Sequence, residues 1–219
     1  LNVVGDRFKE TMMKKQNKIQ WVFSSRNNQE LAERYDQWAK DYDANLEKDL
    51  EYRGPQLIAE YFTKYVPKEA RILDAGAGTG LMGKVLTKLG YHNLVAIDMS
   101  RHMLEEARRK KMYSELHQMI MGEPLAFAIN SFDAIVSVAV FAVGHAPASS
   151  LDELIRITRP GGYIVFTVHL DAYENLGFKE KQVALEAEGE WKLVEESEPY
   201  RLSPVLEPAT YHQIWVYQA

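Results

Sequence analysis

The sequence predicts an α/β fold with a doubly wound, mostly parallel sheet, and three observations carry that prediction. From residue 70 onward short apolar runs alternate with amphipathic stretches, the pattern of parallel strands joined by right-handed helical crossovers. The run Arg71-Ile72-Leu73-Asp74-Ala75 breaks into the glycine turn Gly76-Ala77-Gly78-Thr79-Gly80, and a second apolar run ends in Asp98. Two late segments, Trp191-Lys192-Leu193-Val194 and Tyr211-His212-Gln213-Ile214-Trp215-Val216-Tyr217, read as a strand pair that closes the sheet.

The elements follow in order. Residues 1–28 form a basic N-terminal extension with weak apolar periodicity, expected as a frayed helix or an arm packed on the body. Residues 29–68 are expected to form a helical lid. Its first helix carries Leu31, Tyr35, Trp38, Tyr42 and Leu46 at helical spacing; its second opens at Pro55 and stops before Pro67. Residues 69–219 form the nucleotide-binding domain. There the helix after the glycine turn uses Leu81, Val85, Leu86 and Leu89 and stops at Gly90. The second strand spans 93 to 97. The following helix buries Met103, Leu104 and Ala107 and ends in Arg108, Arg109, Lys110 and Lys111, which suit its negative C-terminal end. Strand three is expected at 116 to 121 and strand four from 132 to about 138. Ser150 to Glu153 reads as a capping box, and a charged helix near 179 to 188 precedes the closing strands.

Composition sets limits on function. A chain of 219 residues buries a core without staples, and the absence of cysteine excludes disulfides, thiolate metal sites and a cysteine nucleophile. No metal-ligand spacing appears, so no metal is expected. Net charge is -5, with +4 on residues 1–28 and -9 on the rest, and such an acidic body is a poor surface for nucleic acid. No apolar run reaches the length of a membrane span, so the expectation is a cytoplasmic protein that binds neither membrane nor nucleic acid. Oligomeric state has no readable determinant.

The glycine turn is a nucleotide-binding signature whose ligand the spacing alone leaves open. Gly78-Thr79-Gly80-Leu81-Met82-Gly83 also spells the dinucleotide pattern G-x-G-x-x-G, with Asp98 at the distance of a ribose-binding acid. Asp74 separates the two cases: a carboxylate there repels a pyrophosphate, but suits a ligand with an ammonium and a sulfonium, such as S-adenosylmethionine. Gly76, Gly78 and Gly80 let the backbone approach that ligand, and Asp98 accepts from its ribose hydroxyls.

These residues resemble the first motif of the class I S-adenosylmethionine-dependent methyltransferases, an apolar strand followed by D-x-G-x-G-x-G. Ser131-Phe132-Asp133-Ala134-Ile135-Val136-Ser137 and Leu154-Ile155-Arg156-Ile157-Thr158-Arg159-Pro160-Gly161-Gly162-Tyr163-Ile164 are similar to the family's fourth strand and the helix, turn and fifth strand that follow. Tyr35-Asp36-Gln37-Trp38-Ala39-Lys40-Asp41-Tyr42-Asp43, Tyr52-Arg53-Gly54-Pro55 and Val143-Gly144-His145 resemble, more narrowly, the Williams-Beuren syndrome region methyltransferase-like proteins. The resemblance implies a Rossmann-like, seven-stranded sheet with an antiparallel edge, and S-adenosylmethionine as cofactor. It also implies that Gly122 and Glu123 meet the adenine amino group. Met99, just after strand two, is expected to pack on adenine, and Ala75 and Val138 are expected among the cofactor-binding residues. Glu123 stands where the family has aspartate, and a surface glutamate in a turn is the competing reading.

Ligands of doubly wound sheets lie beyond the C-terminal strand ends, which selects the chemical candidates. His145 after strand four is a candidate general base, worth roughly 10² to 10⁴ in rate, and His169 after strand five is the second. His92, His102, His117 and His212 read as surface or packing residues. Tyr35 and Tyr42 either face the sulfonium or lie in the helix's core face; Trp38 reads as core. Arg53 either clamps a carboxylate or is solvated. The N-P-P-Y signature of amino-group and base methyltransferases is missing, which favours a small-molecule acceptor. A non-catalytic cofactor-binding regulator and a nicotinamide-dependent oxidoreductase are the competing functions, and Asp74 argues against the latter.

Overall fold

In the computed structural model, which describes residues 18–206 and 208–219, strands and helices alternate from residue 72 as the sequence predicts. Most of the basic extension, residues 1–17 with Phe8, Met12 and Met13, lies outside the described residues. Residues 18–23 are helical. Helix α1 (Asn28–Asp43) is capped by the Asn27 side chain, which accepts from the Glu30 amide, and it widens into a π-helical turn over Ala44–Asp49. Helix α2 (Gly54–Tyr65) starts on Pro55, whose missing N–H costs nothing in a first turn. Then come β1 (Ile72–Ala75), α3 (Leu81–Lys88), β2 (Leu94–Asp98), α4 (Arg101–Arg109), β3 (Glu115–Gln118), β4 (Phe132–Phe141), α5 (Ser150–Ile157) and β5 (Thr158–His169). The chain closes with α6 (Leu170–Asn175), α7 (Phe178–Ala187), β6 (Lys192–Glu196), β7 (Tyr200–Arg201) and β8 (Tyr211–Gln218).

The strand order is β3-β2-β1-β4-β5-β8-β6, with β1 to β5 parallel and β8 antiparallel to both β5 and β6. The order reverses at β1 and β4, the topological switch where such sheets bind ligands. The expected seventh strand is accompanied by an eighth, since Tyr200 and Arg201 pair with the start of β8. Strand three ends earlier than expected, at Gln118, and Met121 only bridges to Glu123. The expected capping box at Ser150 is also absent. Ser149 takes the cap position without a side-chain bond, while Glu153 accepts from the Leu125 amide and pairs with Arg156.

Side-chain parity divides the core into two layers. Leu73 and Ala75 of β1 join Ile135, Phe166 and Trp215 beneath α5, α6 and α7, whereas Ile72 joins Ala134, Val136, Val165 and Ile214 beneath α2 and α3. Helix α2, expected as part of the lid, therefore packs on the sheet through Ile58 and Phe62. Helix α1 lies against α4 at the strand ends, in a third cluster of Leu31, Trp38, Leu46, Leu50 and Leu81.

Tyr113 wedges under α3, where a Cβ on Gly83 would stand 2.3 Å from its hydroxyl oxygen and 2.5 Å from Cζ. Gly83→Ala is expected to destabilise the fold by about 1–3 kcal/mol, even though alanine is the better helix former, because the buried ring has to move. Urea unfolding of the two proteins measures it.

Candidate functional site

The site grows from the turn between β1 and α3. The Gly76 and Ala77 amides both donate to the Ile97 carbonyl at 2.9 Å, so β2 holds the first half of the turn. The second half is held by Asp98. Its carboxylate accepts from the Gly78 amide and from the Ser100 amide, each at 2.8 Å. Burial pushes Asp98 up to about 6 against the pull of those N–H donors. Gly76 adopts a φ of +81°, and a Cβ there would lie 2.2 Å from Val140 Cγ2, so its first service is to let β4 approach. Above Gly78 the space is open.

Asp74 does not open onto that space. It shares the parity of Ile72, which turns its carboxylate under α3, where it accepts from the Tyr113 hydroxyl at 2.5 Å while the Gly83 amide donates to the same hydroxyl at 3.1 Å. The carboxyl is 1 % exposed, and burial pushes it up to about 7.

Helix α1 is tied over the turn by polar contacts. Asp36 accepts from the Ser100 hydroxyl at 2.5 Å and from the His102 amide at 2.9 Å, so α1 helps to cap α4. Asp43 accepts from the Thr79 hydroxyl and pairs with Lys110 at 2.5 Å, and Lys110 also donates to the Thr79 carbonyl at 2.6 Å. Lys110, expected merely to suit a helix end, thus links α4, the glycine turn and the lid helix.

Between α1 and the ends of β4, β5 and β8 lies a cavity of about 250 Å³. Tyr35, Trp38, Tyr42 and Tyr52 supply aromatic walls, Ala139 and Ala142 the strand-four side, and His169 and His212 the far end. No Asp, Glu, Lys or Arg is among the described residues lining it. Ala139 holds φ +59°, its amide donating at 2.8 Å to Thr167 Oγ1, and this outlier lies where the pairing of β4 with β5 shifts register between Ser137 and Phe141. The Tyr35 hydroxyl lies 2.9 Å from His145 Nε2, and His145 Nδ1 lies 3.1 Å from the Val143 carbonyl. A carbonyl accepts only, so Nδ1 carries the proton and Nε2 accepts from Tyr35. Burial lowers the His145 pKa. His145 stands behind Tyr35 and does not line the cavity itself; His169 does.

Comparison with known proteins agrees with this geometry. A methyltransferase-domain family model matches residues 73–166. Methyltransferase-like protein 27 of Homo sapiens is 36% identical over 72% of this chain and 66% of its own length. The malonyl-[acyl-carrier protein] O-methyltransferase of Priestia megaterium is 30% identical over 64% of this chain and 52% of its own. The chain therefore belongs to the class I S-adenosylmethionine-dependent methyltransferases. A TehB-like member from Corynebacterium glutamicum, with a TM-score of 0.59 and 19% identity, shares the fold over 84% of this chain and 97% of its own. The matches span about half to two thirds of these curated relatives.

The family's cofactor is S-adenosylmethionine, and the residues expected to meet it are only partly gathered. Gly76, Gly78 and Gly80 form the turn, Asp98 at the end of β2 grips it, Ala75 at the end of β1 is buried in the core, Met99 is half-buried in the α1 cluster and Val138 lies against the sheet layer. Tyr35 and Tyr42 line the cavity, and so does Trp38, read as core. Arg53 is exposed and does not line the cavity itself, although its amide donates to the carbonyl of Leu202, which does. Gly122 and Glu123 are exposed on the loop after β3. Sequence reasoning missed Tyr52 and His212. His102 and His117, read as surface or packing residues, have Asp36 and Glu115 beside them. Among the described residues no His, Asp and Glu cluster could hold a metal, and no helix is long and apolar enough to cross a membrane.

Because the folded Asp74 binds its proton more tightly than the unfolded chain does, its contribution to stability falls as pH rises from about 4 to about 7 and levels off above. Asp74→Asn, which still accepts from Tyr113, is expected to lose that slope and to gain on the wild type towards pH 8, as thermal unfolding at a series of pH values will show.

Proposed function

We propose that the protein transfers the methyl group of S-adenosylmethionine to a small-molecule acceptor by in-line displacement in the cavity under α1. One observation carries the reading: the open turn of Gly78 and Asp98 stands beside an apolar cavity whose described lining bears no formal charge. Bound there, the cofactor supplies an electrophilic methyl on a sulfonium, whose loss of charge on transfer an apolar wall does not penalise.

The roles then follow position. Asp98 accepts from the ribose hydroxyls, Met99 packs on the adenine, and Gly122 with Glu123 closes the adenine end. Gly76, Gly78, Gly80 and Ala75 shape the turn, Asp74 acts through Tyr113 to hold that shape, and Val138 backs it. Tyr35 and Tyr42 face the sulfonium, and Arg53 guards the outer edge. The lid role belongs to α1 and its π-helical end, with residues 69–219 forming the binding domain. His169 meets the acceptor directly, whereas His145 acts as a base through the Tyr35 hydroxyl. Positioning two reactants supplies effective molarities of about 10⁵ to 10⁸ M, so the lid contributes even where no base is used.

Calorimetry is expected to detect binding of S-adenosylmethionine and S-adenosylhomocysteine, and a labelled-methyl screen over small acceptors to find transfer. No binding at millimolar ligand sinks the proposal, and binding without transfer to any acceptor favours a regulator. Asp98→Ala, which removes bonds worth roughly 1.5–3 kcal/mol each, is expected to weaken binding at least about a hundredfold.

A further inference from the structure

The main chain sets the two candidate histidines in opposite tautomers. His145 gives its Nδ1 proton to the Val143 carbonyl and keeps Nε2 bare towards Tyr35. His169 ends β5 and caps α6, and its Nδ1 accepts from the Asp171 amide at 3.1 Å. A backbone N–H only donates, so Nδ1 is bare and the ring proton sits on Nε2. The Asp171 carboxylate lies 3.9 Å from Nδ1, beyond hydrogen-bond reach, and is largely exposed. Burial lowers the His169 pKa, which keeps the ring neutral at neutral pH.

The edge that His169 leaves open is the one that carries Nε2. The residue is 8 % exposed and lines the cavity, while its Nδ1 edge is held against α6. Among the described residues Nε2 has no partner, and it is not sealed from solvent, whereas Nδ1 of the neighbouring His212 is. A general base presents a bare nitrogen to its substrate; His169 presents a proton.

A ligand that fills the cavity covers this N–H and either accepts from it or leaves it unpaired at a cost. A carbonyl oxygen suits it because it only accepts, whereas a hydroxyl brings a proton that needs an acceptor in turn. Tyr35, Trp38, Tyr42 and Tyr52 in the lining offer flat rings to the body that carries the carbonyl. We propose that His169 holds the methyl acceptor as a hydrogen-bond donor, and that the acceptor is a molecule whose carbonyl oxygen, of a ketone or of a carboxyl group, accepts from Nε2. The assignment rests on the proposed function in taking this cavity as the acceptor site, and it deepens that reading by naming the acceptor class.

Calorimetry on the full chain with saturating S-adenosylhomocysteine tests it with three probes of one shape: acetophenone, benzoate and α-methylstyrene, which has a methylene in place of the carbonyl oxygen. At least one oxygen probe is expected to bind about three- to tenfold more tightly than α-methylstyrene. Preference for acetophenone assigns the oxygen to a ketone, and preference for benzoate to a carboxyl group. His169→Leu is expected to abolish the preference, and His169→Gln, whose amide N–H₂ donates from nearly the same place, to retain it. Should the leucine variant not fold, the wild-type ¹⁵N spectrum is expected to show a proton-bearing Nε2 that shifts with the preferred oxygen probe and not with α-methylstyrene. Equal binding of all three probes, a preference that survives in His169→Leu, or a proton on Nδ1 would overturn the assignment. Failure of S-adenosylmethionine and S-adenosylhomocysteine to bind while the oxygen preference persists would instead remove the proposed function and leave the His169 contact standing.

Discussion

The site depends on how β2 grips the turn that follows β1. The Ile97 carbonyl takes two amides and the Asp98 carboxylate takes a third, so three successive N–H groups of a glycine loop are spent on the neighbouring strand. Such a loop cannot drift. Its backbone groups would otherwise face water or lie unpaired, and each such loss is comparable to a hydrogen bond. Rigidity here fixes the start of α3, and α3 in turn fixes Leu81, which packs with Trp38 and Leu46 of the lid. A local bonding pattern at the switch point of the sheet is thereby passed to the wall of the cavity.

The same turn is supported from below by a costly arrangement. Burying Asp74 against Tyr113 raises the carboxyl towards neutrality, and an uncharged pair accomplishes the same packing at less expense. What the carboxylate offers is direction: a short bond to a hydroxyl that itself accepts from Gly83 ties β1, α3 and the chain before β3 into one network. The acid that distinguishes the motif in sequence thus acts here on the scaffold beneath the ligand site.

Much of this was legible from residue pattern. The alternation from residue 72, the α2 boundaries set by Pro55 and Pro67, and the closing pair β6 and β8 follow from periodicity and punctuation, both local properties. What stayed hidden was non-local. A D-x-G-x-G-x-G run does not say which face of the sheet Asp74 meets, because that depends on register with β2 and β4. Lys110 reads as one of four cations at a helix end until α1 brings Asp43 to it. His212 is hidden from a reading that takes its candidates from the residues after each strand. β8 runs antiparallel, so its first residues, not its last, reach the site. Antiparallel pairing expected at the edge already contained that signal.

The lid combines two kinds of adhesion with different strengths. The Asp43 to Lys110 pair is roughly a quarter to a third exposed, and pairs of that kind contribute about 1 kcal/mol or less. Burial of Trp38, Leu31 and Leu46 contributes on the order of 1.5–3 kcal/mol for each side chain, so apolar packing holds α1 down and the ion pair sets where it lands. The π-helical turn fits this division. It shifts the helix face after Asp43, so that Asn45 accepts from Trp38 Nε1 at 2.8 Å and Leu46 and Leu50 join the cavity wall in place of solvent-facing residues. A regular helix through the same residues would rotate that wall away from the cavity, and the irregularity is therefore what lets one segment cover the glycine turn and line the pocket together.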